Sequence, residues 1–120
     1  MPVKKLLLAP IALVAFAAPA LAEDWVQIPD QPEGQFWIDR DSIEVRGALT
    51  YFRTRIQLTD VAGLGYATSA VDCKTQDVDI LKLELESDGK VVASQDFVPG
   101  EKRHSLKDDS GAKIFALVCR

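Results

Sequence analysis

Histidine is almost absent from this 120-residue chain: His104 is the only one. Cysteine occurs twice, as Cys73 and Cys119, and methionine only as Met1. These scarcities exclude several chemistries. With no CxxC, no CxxCH and one imidazole, no zinc site, attached haem or redox dithiol is written in the chain. One histidine among scattered serines and carboxylates also singles out no nucleophile–base–orienter set. A non-catalytic protein without a cofactor is the expectation. Basic residues are in the minority too, 14 Lys and Arg against 18 Asp and Glu. The whole-protein field would repel a polyanion, so nucleic acid is not an expected partner.

Long hydrophobic runs are missing with one exception. Leu6–Ala18 is apolar, follows Lys4 and Lys5, and is short and interrupted by Pro10. It precedes the small residues of Ala20-Leu21-Ala22. That is the layout of a cleaved secretory signal, residues 1–22, with cleavage before Glu23. No cysteine follows the cleavage point, so no lipid anchor is expected, and no stable membrane insertion remains after cleavage. The expected location is periplasmic, at the cell surface, or secreted. Residues 23–120 are then one small domain. Without Lys4 and Lys5 it keeps 12 basic residues against 18 acidic ones, a formal charge of −6.

In an exported chain two cysteines are expected to pair. A Cys73–Cys119 bridge would close a loop of about 47 residues, worth roughly 4 kcal/mol of unfolded-state entropy.

Hydrophobic alternation supplies the strands. Trp25–Ile28 reads as one, ended by Pro29, and Gln35–Ile38 as a second. In "FWIDRDSIEVRG", Asp41 and Ser42 are placed to turn the chain at a polar corner before a further short strand at Ile43–Val45. Ala48–Leu58 carries Phe52, Thr54, Ile56 and Leu58 on one face and Tyr51, Arg53, Arg55 and Gln57 on the other. Tyr66–Cys73 sets the small residues Ala67 and Ser69 inward, leaving room for something to lie across the sheet. Val78–Glu86 reads with Leu81, Leu83 and Leu85 inward, and Asp88-Gly89 marks a hairpin to Val91–Phe97. Pro99-Gly100 is expected to end the sheet, leaving Glu101–Lys107 as a connecting loop.

The period then changes. Ala112, Phe115, Ala116 and Cys119 fall at helical spacing after a capping Asp109 or Ser110. The expected architecture is α+β. It is a single antiparallel sheet of about six strands with a short C-terminal helix packed on one face and tethered there by the disulfide.

An early Trp, "FWIDRDSIEVRG", "VDC" ending a strand and a final "ALVCR" together resemble the surface-adhesin protein E family. The resemblance covers essentially all of residues 23–120. It implies an antiparallel sheet whose concave face is covered by a disulfide-tethered C-terminal helix, and a role in contacting host matrix or other extracellular macromolecules.

Possible contact residues follow from the remaining features. Phe36 and Trp37 cannot face the same way, so one is expected to point outward as a candidate contact. Arg53 and Arg55 share an outer face and would meet Glu84 or Glu86 if register allows. Lys102, Arg103 and His104 form the one local basic patch. Asp72, Asp77 and Asp79 cluster without the oxygen spacing of a calcium loop. The expectation is a binding domain for a protein or other extracellular macromolecule, in which an exposed edge strand would let two copies pair. Its rivals are a periplasmic carrier of a small ligand such as haem or lipid, and an inhibitor of a cell-wall enzyme.

Overall fold

The computed structural model describes residues 23–29 and 31–120. The signal-peptide expectation at residues 1–22 lies outside them. Seven strands form one sheet: β1 Trp25–Ile28, β2 Gly34–Arg46, β3 Leu49–Leu58, β4 Leu64–Asp72, β5 Asp77–Ser87, β6 Lys90–Asp96 and β7 Arg103–Ser105. A helix, α1 Asp109–Val118, closes the chain. The first six strands lie side by side in sequence order, every pair antiparallel, and β7 joins the free edge of β5. This is the expected α+β arrangement. Tight connections make so simple a meander possible. The β5–β6 hairpin turns through Asp88 and Gly89, both at positive φ (53° and 78°), the left-handed pair that Asp-Gly supplies.

Pro99-Gly100 does not end the sheet. The chain leaves β5 after Phe97 donates to the Leu81 carbonyl and returns when Lys102 accepts from the Ile80 amide. β7 then pairs Asp79 with Arg103 and Val78 with His104. The stretch Glu101–Lys107, expected as a loop, thus contributes a short strand.

"FWIDRDSIEVRG" is one strand with a large bulge rather than two strands about a corner. Asp39 pairs with Arg53, yet Glu44 pairs with Tyr51, so β2 advances by five residues while β3 advances by two. Asp39 and Ser42 hold the bulge, not Asp41 and Ser42. The buried Asp39 carboxylate accepts the amides of Asp24 at 2.9 Å and Asp41 at 3.0 Å. Ser42 donates to the Asp39 carbonyl at 2.6 Å and accepts from the Arg53 amide at 2.8 Å. Each polar group thus has a partner in a region that would otherwise strand them. The odd number of extra residues reverses the side-chain alternation, so Phe36 and Ile38 point inward before the bulge and Ile43 after it.

A second bulge reverses β5. Ser69 pairs with Ile80 but Thr68 pairs with Lys82, leaving Leu81 as the extra residue. Val78 and Ile80 face inward on one side of it, Leu83 and Leu85 on the other. Leu81 does not join the inward row that unbroken alternation implies.

α1 is capped by Asp108, one residue before the expected positions, whose carboxylate accepts from the Gly111 amide at 2.6 Å. Its inward face is Gly111, Ile114 and Val118, with Phe115 and Leu117 beside it; Ala112 and Ala116 are exposed. The alanines misplace the expected stripe because bulkier residues bury more apolar area at the same spacing. Gly111 is required at the contact. A Cβ there would come within 2.5 Å of the Leu106 Cα and 2.6 Å of its carbonyl oxygen. The core under the helix comprises Ile28, Ile38, Phe52, Val71, Val78, Leu106 and Val118. The Cys73–Cys119 disulfide, 46 residues apart in sequence, ties the end of α1 to the sheet beyond β4.

Candidate functional site

The inner face of the sheet is longer than the helix that covers it. α1 lies over the ends of β3, β4 and β5 that hold Phe52, Val71 and Val78. Past Ile56, Ala67 and Ile80 the inward side chains have no layer above them. An open groove of about 740 Å³ results. Its floor is Thr54 and Ile56 of β3, Gly65, Ala67 and Ser69 of β4, and Leu83 and Leu85 of β5. Leu106 and Ile114 form the helix end, Leu58 and Val61 the far rim, and Ala93 and Gln95 of β6 one side. The run of Gly, Ala and Ser along β4 gives the groove its depth, the room those small residues promised. Leu58, Leu83 and Leu85 are 43%, 37% and 45% exposed, unusual for leucines on the inner face of a sheet. Polar residues in the lining are Thr54 and Ser69 in the floor, His104 at the helix end, Gln31 and Glu33, and Glu84, Ser94 and Gln95 on the β5–β6 side.

The outer face is built differently. Cross-strand register sets Trp37, Arg55, Tyr66 and Glu84 in one row, with Arg53 in the next. The Arg55 guanidinium lies 4.7 Å from the Trp25 ring and 4.6 Å from the Trp37 ring, stacked between them. Arg53 sits 4.8 Å from the Tyr66 ring and pairs with Glu23 at 3.5 Å and Glu84 at 3.8 Å. Tyr66 donates to Glu86 at 3.4 Å. Burial first, and then the Glu86 carboxylate, raises the Tyr66 phenol above its ordinary value. This face is a set of cations already matched to rings and carboxylates.

Trp37, Arg53 and Arg55 are therefore brought together, on the outer face, while Phe36 faces the core. The basic patch is not kept together. Arg103 forms a two-pronged pair with Asp79, 2.8 and 3.0 Å, on the outer side. That bond is the first cause of the lowered Asp79 carboxyl pKa. His104 faces the groove, and Lys102 stands 5.6 Å from the Phe97 ring. Two members of the acidic cluster are likewise occupied. Asp72 accepts the amides of Lys74 and Thr75, and Asp79 holds Arg103. No group of three ligand-type residues suited to a metal ion occurs among the described residues. No helix among them is long and apolar enough to cross a membrane.

Sequence reasoning missed Trp25 and Tyr66 as partners of the arginines, because only the register reveals them. It placed Leu83 and Leu85 inward, where they are, but not as uncovered. The available signal was length: a ten-residue helix spans about 15 Å, less than an eleven-residue strand of about 36 Å. No family model, curated protein or solved structure matches the chain.

Proposed function

We propose that this protein is a non-catalytic binding module, exported from the cell, that carries an elongated aliphatic ligand such as a lipid acyl chain in its concave groove. One observation carries the reading: Leu58, Leu83 and Leu85 line an uncovered groove of about 740 Å³ on the face that should be core. That volume lies within the range of about 300–1,000 Å³ typical of small-molecule sites. The exposed lining is mostly aliphatic, with Glu33 and Glu84 its carboxylates, which suits a flexible chain whose gain is apolar burial. The Cys73–Cys119 bridge supports an oxidising compartment. The resemblance to surface-adhesin protein E supports binding rather than catalysis.

The test is a titration of the purified protein with a dansyl-labelled long-chain fatty acid, read by fluorescence. Saturable binding is expected, weakened at least tenfold by Leu85→Asp, which sets a charge in the floor at a solvent-accessible position. Melting of the variant should match the parent. Absent or non-saturable binding, or binding indifferent to Leu85→Asp, overturns the reading.

A second reading, contact with an extracellular macromolecule through the outer face, draws on the Trp25–Arg55–Trp37 stack, since Trp and Arg favour interface centres. Its weakness is that the stack is already satisfied within the chain. Binding of an immobilised matrix protein, abolished by Arg55→Ala while fatty-acid binding persists, would favour it over the groove.

A further inference from the structure

The two ends of the groove differ in charge. Beside Leu58, at the far end, stands Glu33, whose carbonyl accepts from the Thr59 amide. Glu84 also borders the groove, but Arg53 and Lys82 hold its two carboxylate oxygens, each at 3.8 Å, on the outer face.

At the helix end the sign reverses. β7 sets His104 opposite Val78, and the same register runs on to Lys102, whose carbonyl accepts from the Ile80 amide at 3.0 Å. Val78 and Ile80 both line the groove, so His104 and Lys102 share its face. Arg103, between them, turns outward to Asp79. Among the described residues neither the Lys102 ammonium nor the His104 ring has a carboxylate partner. Two carboxylates of the neighbouring chain are engaged by amides, Glu101 by Val98 at 3.2 Å and Asp108 by Gly111 at 2.6 Å.

We propose that the groove selects a single-chain amphiphile with an anionic head, held at β7 between Lys102 and His104, with its tail running past Leu83 and Leu85 toward Val61. This rests on the reading of the groove as an acyl-chain site and adds a head-group class and an orientation. The ammonium supplies charge, and the imidazole supplies an N–H donor in either protonation state. Both residues are exposed, so the head keeps part of its water while the tail is buried. Glu33 opposes the reverse orientation, because a like charge would then face it.

The test is displacement of a fatty acid, dansyl-labelled at its tail, from the purified protein at neutral pH. The competitors are laurate, dodecyl phosphate, dodecanol and dodecylamine. The two anions should compete at about tenfold lower concentration than the amine, with the alcohol between them. Whichever anion competes better marks the head as carboxylate or phosphate. Lys102→Glu should erase that order by weakening the anions and strengthening the amine, whereas Lys102→Arg should keep it. Melting should be unchanged in both, since Lys102 joins the sheet through its carbonyl. His104→Ala should weaken the anions about threefold and leave dodecanol as it was. Equal competition by all the compounds, or an order unmoved by Lys102→Glu, overturns the head-group assignment and leaves the acyl-chain site standing. A labelled fatty acid that does not bind saturably overturns both.

Discussion

The two halves of the sheet's inner face are made from the same strands and the same kinds of residue, yet one half is core and the other is surface. Beneath α1, Ile38 and Val71 are 0% exposed and Phe52 4%. Past the Leu81 bulge, Leu83 and Leu85 on the same side of β5 are 37% and 45% exposed. The difference lies in what stands above, a helix of ten residues fixed at one end of the sheet by Gly111 against Leu106 and by Cys119 against Cys73. A hydrophobic side chain becomes core only where a second layer meets it. The bulge marks the boundary, since it bends and twists the strand locally.

The sharpest way to break that comparison is to truncate one side chain in each half. Phe52→Ala should cost about 3–5 kcal/mol, the range for deleting a buried aromatic, and melt the domain many degrees lower. Leu83→Ala should cost well under about 1 kcal/mol, because a half-exposed leucine loses little burial. Equal losses in chemical denaturation would mean that the open half is covered in solution.

Next in size is the tether. Removing the bridge with Cys73→Ser and Cys119→Ser restores unfolded-chain entropy of roughly 4 kcal/mol as an upper figure. For a domain of this length the drop in melting temperature should exceed about 10 °C. The comparison sharpens through hydrogen exchange: protection of Ile38 and Val71 should fall toward that of Leu83 and Leu85 if the helix lifts. A melt unchanged by the double substitution would show that helix packing alone holds the second layer.

How much of this was legible in the chain depended on where alternation is continuous. β3 reads correctly because its ladder has no interruption between Phe52 and Ile56. β2 and β5 do not, because Asp39–Glu44 and Leu81 insert extra residues that reverse the parity, and a bulge has no hydrophobic signature of its own. Asp39 is the case in point. Its role depends on two amides, Asp41's from within the bulge and Asp24's from just before β1, which nothing in its neighbours announces. The helix was legible in period but not in phase, since Ala112 and Ala116 fit the spacing as well as Ile114 and Val118 do. The groove was only half legible: small residues on β4 pointed to space, while the helix end that defines its mouth depended on tertiary placement.

The smallest expected effect concerns the edge of the covered half, where β7 rather than β6 flanks β5. Arg103 grips Asp79 with two hydrogen bonds, and this bond more than any other influence holds the Asp79 carboxyl below its ordinary value. A proton therefore binds Asp79 less readily in the folded state than in the unfolded one. The pair's contribution is complete above about pH 5 and is lost as the pH falls through the unfolded value, about 3.9, toward the lower folded one. Arg103 remains charged throughout that window, so the acid limb belongs to Asp79. Asp79→Asn should thus lower the melting temperature by no more than a few degrees near pH 7, and the gap should narrow as the pH falls below about 3.9 toward the lowered folded value. A gap that persists undiminished at pH 3 would assign the loss to altered strand pairing of β7 with β5, and would make β7 a part of the covered half by its backbone alone.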